Sequence, residues 1–272
     1  MLLTKKGLWK IIFAVICFFV TGSFCLFFGF VFVKMELDAK PLFILSALSY
    51  VNCPLVALWG LYAEGKGKYL DTGNRLLQRE VRPTEFIRQY NDLKNSPELV
   101  INKPSVQLLQ LLALAYDVMA DEENSMKALE EMMSAANEKK KAYVMLIKVS
   151  FLYSYGRIGE ADKLWCEIGT MKLNSFCRML MDSVFKSDRA MAMGDYKTVE
   201  AYCLRVLSAV YPKHNNLSKL IHHYKLGEVY EKMQDTQRAA EHYRYCARYG
   251  SETAIRANAE AALERILADN AG

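Results

Sequence analysis

The sequence predicts an all-α protein in which a transmembrane helical hairpin is followed by a solenoid of αα-hairpins and a C-terminal capping helix. Three observations predict this fold. Two long apolar runs lie within the first 63 residues, the remaining chain is a series of helical patterns joined by short turns, and the last pattern is apolar on one side only. We therefore expect a two-span anchor at 1–63, a connecting segment at 64–103 and a helical repeat domain at 104–272.

The first apolar run occupies 11–33 and follows three lysines of the N-terminal tail. As an α-helix this run would be roughly 34 Å long, which is enough to cross a bilayer. A signal peptide would have a shorter apolar region and then a small-residue cleavage site, and neither feature fits the run. The sequence therefore predicts a retained transmembrane helix.

The second apolar run occupies 41–62 and is also long enough to span a membrane. A short loop at 34–40 joins the two runs, so together they predict a transmembrane hairpin. Asn52 and Pro54 interrupt the second run, and they indicate either a local kink satisfied within the hairpin or part of a ligand path. We favour the kink, because no acid or base accompanies them.

The basic residues predict the orientation of this hairpin. They are more numerous at its two outer ends than in the loop between the spans, so the positive-inside rule places both ends in the cytoplasm. The tail contributes Lys5, Lys6 and Lys10, the segment after the second span contributes Lys66, Lys68, Arg75, Arg79 and Arg82, and the loop contributes Lys34 and Lys40.

The connecting segment begins with a glycine- and lysine-rich stretch that has the composition of a hinge. A helix pair at 69–80 and 84–95 follows, with Pro83 suited to an early helical position because it has no amide hydrogen. This pair is either a degenerate repeat or a plain connector to the membrane.

The repeat domain contains four further predicted helix pairs and a closing helix. Ser251 is the expected N-cap of the closing helix, which carries an apolar stripe that would cover the last pair. The predicted pairs are 105–120 with 125–139, 142–155 with 158–170, 174–193 with 196–211, and a last pair within 220–253 that turns at Gln234-Asp235. The apolar stripe of the closing helix consists of Ile255, Ala259, Ala262 and Ile266.

The last pair has Leu226-Gly227, Tyr230, Asp235, Ala239 and Tyr243 at fixed offsets. At these residues it resembles a tetratricopeptide (TPR) repeat, in which small residues allow two helices to approach closely. Small residues also recur in the second helix of each pair, at spacings of 33, 38 and 40 residues, which fit a period near 34 with insertions. The recurring residues are Ala128, Ala161, Val199 and Ala239. The matching positions of the last pair are Leu226-Gly227, Tyr230, Asp235, Ala239 and Tyr243, while Gln234, His223 and Ser251 depart from the pattern.

The resemblance implies that the first helix of each pair lines a concave groove that holds a peptide or helix of a partner protein. The wall is apolar and aromatic, with acids toward one end, so it would favour an amphipathic or basic helical segment. The expected wall residues are Tyr143, Leu146, Ser150, Tyr153, Met181, Val184, Asp188, Tyr224, Glu228 and Glu231. Ile221, Tyr224 and Glu228 stand where chaperone-binding TPR domains have their Lys/Asn carboxylate clamp, so recognition of an acidic chain terminus is not expected.

The sequence predicts no catalytic residues, cofactor or metal site. It contains no catalytic or nucleotide-binding motif, and its seven cysteines lack the paired short spacings of a zinc or disulfide framework. His222 and His242 could meet across the last pair, but a metal site needs more ligands.

Nucleic-acid binding is not expected either, because the 30 basic and 28 acidic residues that follow the two apolar runs nearly balance. The one dense basic run, Lys139 to Lys141, would lie in a loop after a helix. There it would complement the helix dipole or contact anionic lipid.

We therefore expect a membrane-tethered, non-enzymatic scaffold or adaptor with a protein partner, of undetermined oligomeric state. One alternative is an extracytoplasmic assembly factor or chaperone with inverted topology, in which Asn216-Leu217-Ser218 would be an exposed glycosylation sequon. The other is a subunit of a membrane enzyme or transporter complex whose chemistry lies in the hairpin or the histidines.

Overall fold

The computed structural model describes residues 2–35, 39–62, 68–97, 99–209 and 215–269. The described chain is predominantly helical and divides into two compact units, Met1–Asp71 with Asn91–Pro104, and Thr72–Tyr90 with Ser105–Gly272. Parts of three predicted features lie outside the described residues: the hinge at 64–67, the loop at 36–38 and the last residues of the helix predicted at 196–211.

The first unit contains two helices, α1 (Lys5–Lys34) and α2 (Lys40–Tyr62), which pack against each other as a hairpin. Both are long and apolar enough to cross a membrane. Their contact is close, because the Ser46 hydroxyl donates a 2.8 Å hydrogen bond to the backbone oxygen of Gly22, and the Ser23 and Tyr50 hydroxyls lie 2.8 Å apart. Much of the apolar surface of α1 is nevertheless exposed, and five of its phenylalanines are more than half exposed: Phe13, Phe19, Phe24, Phe27 and Phe30.

A short antiparallel strand pair, which the all-α prediction missed, also belongs to this unit. Strand β1 (Leu2–Thr4) pairs with β2 (Leu99–Asn102), and Leu3 is fully buried. Thr4 also caps α1, since its hydroxyl accepts a 3.2 Å hydrogen bond from the backbone N–H of Gly7. The residues that precede α1 and those that follow the second apolar helix therefore meet on one side of the hairpin.

In the second unit, consecutive helices pack in pairs, as the sequence predicts. In two of the pairs, the first helix contains a π-helical segment. The elements are α3 (Lys68–Gly73, crossing the unit boundary), a π segment (Asn74–Arg79), α4 (Pro83–Lys94), α5 (Val106–Asp117), α6 (Glu122–Ala135), α7 (Glu138–Ser154), α8 (Ile158–Gly169), α9 (Ser175–Leu180), a second π segment (Met181–Phe185), α10 (Lys186–Ala192), α11 (Tyr196–Ser208), α12 (Asn216–Lys232), α13 (Thr236–Tyr249) and α14 (Ala254–Asp269).

Side-chain caps fix where these helices begin. Asp121, Asn137, Asn174, Asp195 and Asp235 each accept a hydrogen bond from the backbone N–H three residues later. Such a cap satisfies one of the amide groups that a helix start leaves unpaired. The short polar side chains between apolar stretches therefore set the helix boundaries.

The small residues of the last pair allow the close helix approach that the resemblance implies. A Cβ atom added at Gly227 of α12 would lie 2.6 Å from the ring of Tyr243 on α13. Ala239 on α13 is completely buried. The two helices approach each other at these positions because no larger side chain holds them apart.

Helix α14 packs along α13, and the apolar stripe of the closing helix is confirmed: Ala259, Ala262 and Ile266 are at most 5% exposed. The predicted N-cap, however, is wrong. Ser251 has a φ of +49° and lies in the preceding turn, and α14 begins three residues later at Ala254.

The predicted position of the basic run is also wrong. Lys139 to Lys141 lie in the first turn of α7 and not in a loop after a helix. Asn137 caps this helix, and its carboxamide oxygen accepts a hydrogen bond from the backbone N–H of Lys140. The three lysines therefore lie at the N-terminal end of α7, where they oppose the helix dipole instead of complementing it.

The last helices of this unit contact its first ones. Helix α12 packs against the π segment at Asn74–Arg79, and the carboxamide of Asn216 donates a 2.6 Å hydrogen bond to the backbone oxygen of Arg79. The backbone N–H of Ala254 donates a 2.8 Å bond to the oxygen of Val118, which follows α5. The C-terminal helices of this unit are consequently in contact with its beginning.

Candidate partner-binding site

The ten predicted groove residues do not form one open surface. They separate into three groups: a polar bridge, the wall of a cavity, and side chains packed between neighbouring helices. Ser150 and Asp188 belong to the bridge, Tyr224, Glu228 and Glu231 line the cavity, and Tyr143, Leu146, Tyr153, Met181 and Val184 lie in or beside helix contacts.

The polar bridge joins three helices, α7, α10 and α12, each of which belongs to the first helix of a pair. The Ser150 hydroxyl on α7 donates to one carboxylate oxygen of Asp188 on α10, and the Lys225 ammonium on α12 pairs with the other. The Asp188 side chain is only 6% exposed. Burial by itself would lower the pKa of Lys225, but the Asp188 carboxylate outweighs it and raises that pKa above its ordinary value. Lys225 is therefore protonated in the folded protein.

Further titratable groups surround this bridge. Asp117 at the end of α5 lies beside Tyr155, and burial raises the pKa of Asp117, while the Tyr155 hydroxyl and Lys225 act in the opposite direction. On α11, burial raises the pKa of the Cys203 thiol to about 11, again opposed by Lys225. The inner sides of these helices thus carry polar groups where a continuous apolar core would carry none.

The cavity lies between α10, α12, α13 and α14 and measures about 330 Å³. The Glu231 carboxylate in its wall has two donors as partners. The Tyr243 hydroxyl donates a 2.7 Å hydrogen bond to one carboxylate oxygen, and the Arg265 guanidinium lies 3.2 Å from the other. Burial favours a higher pKa for Glu231, but these two donors hold it below its usual value. The lining residues are Met191, Tyr224, Glu228, Glu231, Lys232, Tyr243, Asn258, Ala261, Ala262 and Arg265.

Glu228 behaves differently in the same cavity. Burial raises its pKa to about 6, with Lys225 opposing, and within the described residues no cation lies close enough to form an ion pair with it. Burial also raises the pKa of Tyr224, to about 12, and the negative charge of Glu228 adds to that effect. The cavity therefore offers one partly buried acid between two aromatic rings, those of Tyr224 and Tyr243.

Two of the predicted groove residues are buried between helices. Leu146 is completely buried, and Tyr153 is 6% exposed with its hydroxyl donating a 2.6 Å hydrogen bond to Asp162 on α8. These contacts hold the pair α7–α8 together and leave neither side chain free for a partner.

The other three lie at the edge of helix contacts. The Tyr143 hydroxyl donates a 2.8 Å bond to Gln110 on α5, and its ring lies 6.0 Å from that of Phe176. Met181 and Val184 are half-buried within the second π segment.

The histidines meet in a different combination from the one considered from sequence. His223 and His242 approach with their Nδ1 atoms 2.8 Å apart, and the ring of Tyr245 stacks on His223 at 3.8 Å. Burial and the neighbouring His242 lower the pKa of His223 to about 4. His222 instead bonds to the backbone oxygen of Ser218. In the described part of the chain, no three His, Cys, Asp or Glu side chains converge on a possible metal position.

Sequence reasoning missed the residue that joins the bridge. Lys225 lies between the predicted wall residues Tyr224 and Glu228, yet it is the side chain that reaches Asp188. Lys225 is one of three lysines on α12, with Lys219 and Lys232, so the sequence contained no signal that this one is the lysine beside a buried acid. Asn258 and Arg265, on the capping helix, gave no signal of a role in the cavity.

No protein-family model matches the chain, and neither a curated protein nor a solved structure is significantly similar to it. The TPR resemblance consequently rests on the residue pattern and on the pairing of consecutive helices.

Proposed function

We propose that this protein is a membrane-tethered adaptor. The helices α1 and α2 are its two-span anchor, and the paired helices of the second unit are a TPR-like solenoid that binds a segment of a partner protein. The observation that supports this proposal is the grouping of Tyr224, Glu228 and Glu231 around one cavity. These are three residues that the TPR resemblance assigns to partner binding.

The anchor assignment is supported by the exposed phenylalanines of α1. A soluble protein rarely exposes a contiguous apolar surface of this size, whereas lipid chains would cover it. The strand pair β1–β2 places the N-terminal tail and the segment 99–102 together, which fits a hairpin with both ends on the same side. The excess of lysine and arginine at these ends favours the cytoplasmic side.

The accessible binding surface in this proposal is the cavity rather than the whole predicted groove. Leu146, Tyr153 and Asp188 are buried within the chain, so the partner contacts Tyr224, Glu228 and the adjoining face of α14. A cavity of about 330 Å³ is at the small end of ligand pockets, and it suits one or two side chains of a docked segment.

Site-specific photo-crosslinking in cells tests the proposal. A benzoyl-phenylalanine at Ala261, which is exposed and lines the cavity, is expected to form a discrete protein adduct. The matched control is the same residue at Ala257, which is exposed on α14 but does not line the cavity. Glu228→Lys should remove the adduct from position 261.

An adduct that forms equally from both positions, or that persists in Glu228→Lys, contradicts binding at the cavity. The lack of a protein adduct at position 261 contradicts the adaptor function itself.

A further inference from the structure

The cavity between α10, α12, α13 and α14 has two carboxylates in its wall, and their surroundings differ. Glu231 is paired, because the Tyr243 hydroxyl and the Arg265 guanidinium each bond to one of its oxygens. Glu228 accepts a hydrogen bond from the Tyr224 hydroxyl, but among the described groups no ammonium or guanidinium lies within ion-pair distance of it. Of the two carboxylates, Glu228 is therefore the one whose charge is not matched by a neighbouring cation.

Glu228 is half-buried and nevertheless carries a negative charge at neutral pH. Burial raises its pKa to about 6, and the Lys225 ammonium opposes that shift. A carboxylate with this pKa is mostly ionised at pH 7. Lys232 belongs to the same wall but is exposed to water. Because a charge that has lost part of its hydration is unfavourable without an opposite charge nearby, a cation that enters the cavity would be stabilised there.

The wall of the cavity is better suited to an organic cation than to a metal ion. Within the described residues no three metal-binding side chains converge, whereas the rings of Tyr224 and Tyr243 both line the cavity, with their centroids 5.9 Å apart. The face of an aromatic ring attracts an ammonium or guanidinium group. A guanidinium is planar and weakly hydrated, and it can stack on a ring while it bonds to a carboxylate. Arginine therefore fits this combination of groups best.

We propose that this cavity is the subsite for a cationic side chain of the partner segment, with arginine as its best occupant. The guanidinium pairs with the Glu228 carboxylate and lies against the ring of Tyr224. Both groups come from α12 and are four residues apart, so they lie on the same side of that helix. The inference rests on the proposed function for the identity of the partner as a protein, but the subsite itself can be tested with a synthetic peptide.

The experiment uses the full-length protein in detergent micelles and a short helical peptide that carries a benzophenone and one arginine. In the matched peptide, citrulline, which is uncharged and of nearly the same shape, replaces the arginine. After irradiation, mass spectrometry is expected to find the arginine peptide attached to residues that line the cavity, at about five times the yield of the citrulline peptide. Glu228→Gln should remove this difference. Glu264→Gln, which neutralises an exposed acid of α14 outside the cavity, should preserve it.

Equal yields for the two peptides, attachment outside the cavity, or an arginine preference that survives in Glu228→Gln would overturn the subsite. An equal loss of preference in Glu264→Gln would also overturn it, because general attraction to acidic surface would then explain the result. The peptide comparison is made on the unaltered protein, so it decides the question even if Glu228→Gln fails to fold.

The same measurements separate this inference from the adaptor function. An arginine preference without any protein adduct from position 261 in cells keeps the subsite and rejects the adaptor. A cellular adduct whose crosslinked segment contains neither lysine nor arginine keeps the adaptor and rejects the subsite.

Discussion

The turns between paired helices repeat one backbone conformation. Ala120, Gly156, Gly194 and Gln234 all have a φ between +58° and +76°, and each is followed by a residue whose backbone N–H bonds to an oxygen five residues earlier. This is the hydrogen-bonding pattern of a Schellman helix end, in which glycine carries the least strain. The sequence predicted the turn at Gln234-Asp235, and the left-handed conformation of Gln234 confirms it.

The non-glycine turn residues should therefore be points of avoidable strain. Gln234→Gly is expected to raise the free energy of unfolding by about 0.5–1 kcal/mol, because glycine adopts the left-handed region without a Cβ penalty. Gly194→Ala should lower it by a similar amount. Thermal unfolding in micelles measures both, and equal midpoints for the two variants would contradict the explanation.

Close helix approach at Gly227 gives a second prediction. Gly227→Ala is expected to lower the free energy of unfolding by about 1–3 kcal/mol, because the new methyl group would overlap the buried Tyr243 ring. Gly159→Ala on α8 is the matched control, since a Cβ there meets nothing within 4 Å. It should be neutral or slightly stabilising. Urea unfolding of both variants measures the difference, and similar losses would count against close packing.

The pair His223–His242 predicts a dependence of stability on pH. The folded-state pKa of His223, about 4, lies below the unfolded value, so its contribution is complete above about pH 6.5 and is lost as pH falls toward 4. We expect the protein to lose on the order of 1 kcal/mol between pH 7 and pH 5 through this residue. Urea unfolding at both pH values measures the loss. His223→Gln should reduce it, and an unchanged pH dependence in the variant would refute this origin.

At the level of elements, the π segments explain why the groove could not be assigned from periodicity. A π turn contains one residue more than an α turn, so the side chains beyond it are rotated relative to a regular helix. The segment Met181–Phe185 interrupts the first helix of the fourth pair. The TPR resemblance assigned Met181, Val184 and Asp188 to a common wall, but only Asp188 reaches the polar bridge.

The capping helix gives a prediction at the same level. Ala259→Glu is expected to lower the free energy of unfolding by several kcal/mol, because it buries an unpaired carboxylate where α14 packs against the last pair. Ala257→Glu, two residues earlier on the exposed face, should change it by less than about 0.5 kcal/mol. Circular dichroism during thermal unfolding distinguishes them. A tolerated Ala259→Glu would show that α14 does not seal the helix stack.

At the level of the whole molecule, the orientation in the membrane can be measured with a native residue. Cys166 is exposed in the second unit, and we expect a membrane-impermeant maleimide to label it only after the membrane is opened. Cys166→Ser identifies the signal from this thiol. Labelling in intact cells would reverse the proposed orientation. A glycan at Asn216 would have the same meaning, although its carboxamide is already bonded to Arg79.

The helices and their pairing follow from patterns within short stretches of sequence. Apolar spacing, capping side chains and turn residues act within a few positions of one another, so the bounds of helices such as α8 and the burial of Ala239 and Ala259 follow from local pattern. The two apolar helices follow in the same way from length and composition. Such local patterns do not predict the contacts at the candidate site, however.

Contacts between residues far apart in sequence depend on the tertiary fold. Lys225 and Asp188 are 37 positions apart, and their contact depends on the path of every helix between them. The pairing of β1 with β2, from opposite ends of the first unit, and the left-handed turn at Ser251 are set in the same way, by packing rather than by propensity. Part of the wall expected from sequence is therefore occupied by contacts within the chain, because Asp188 is bonded to Ser150 and paired with Lys225.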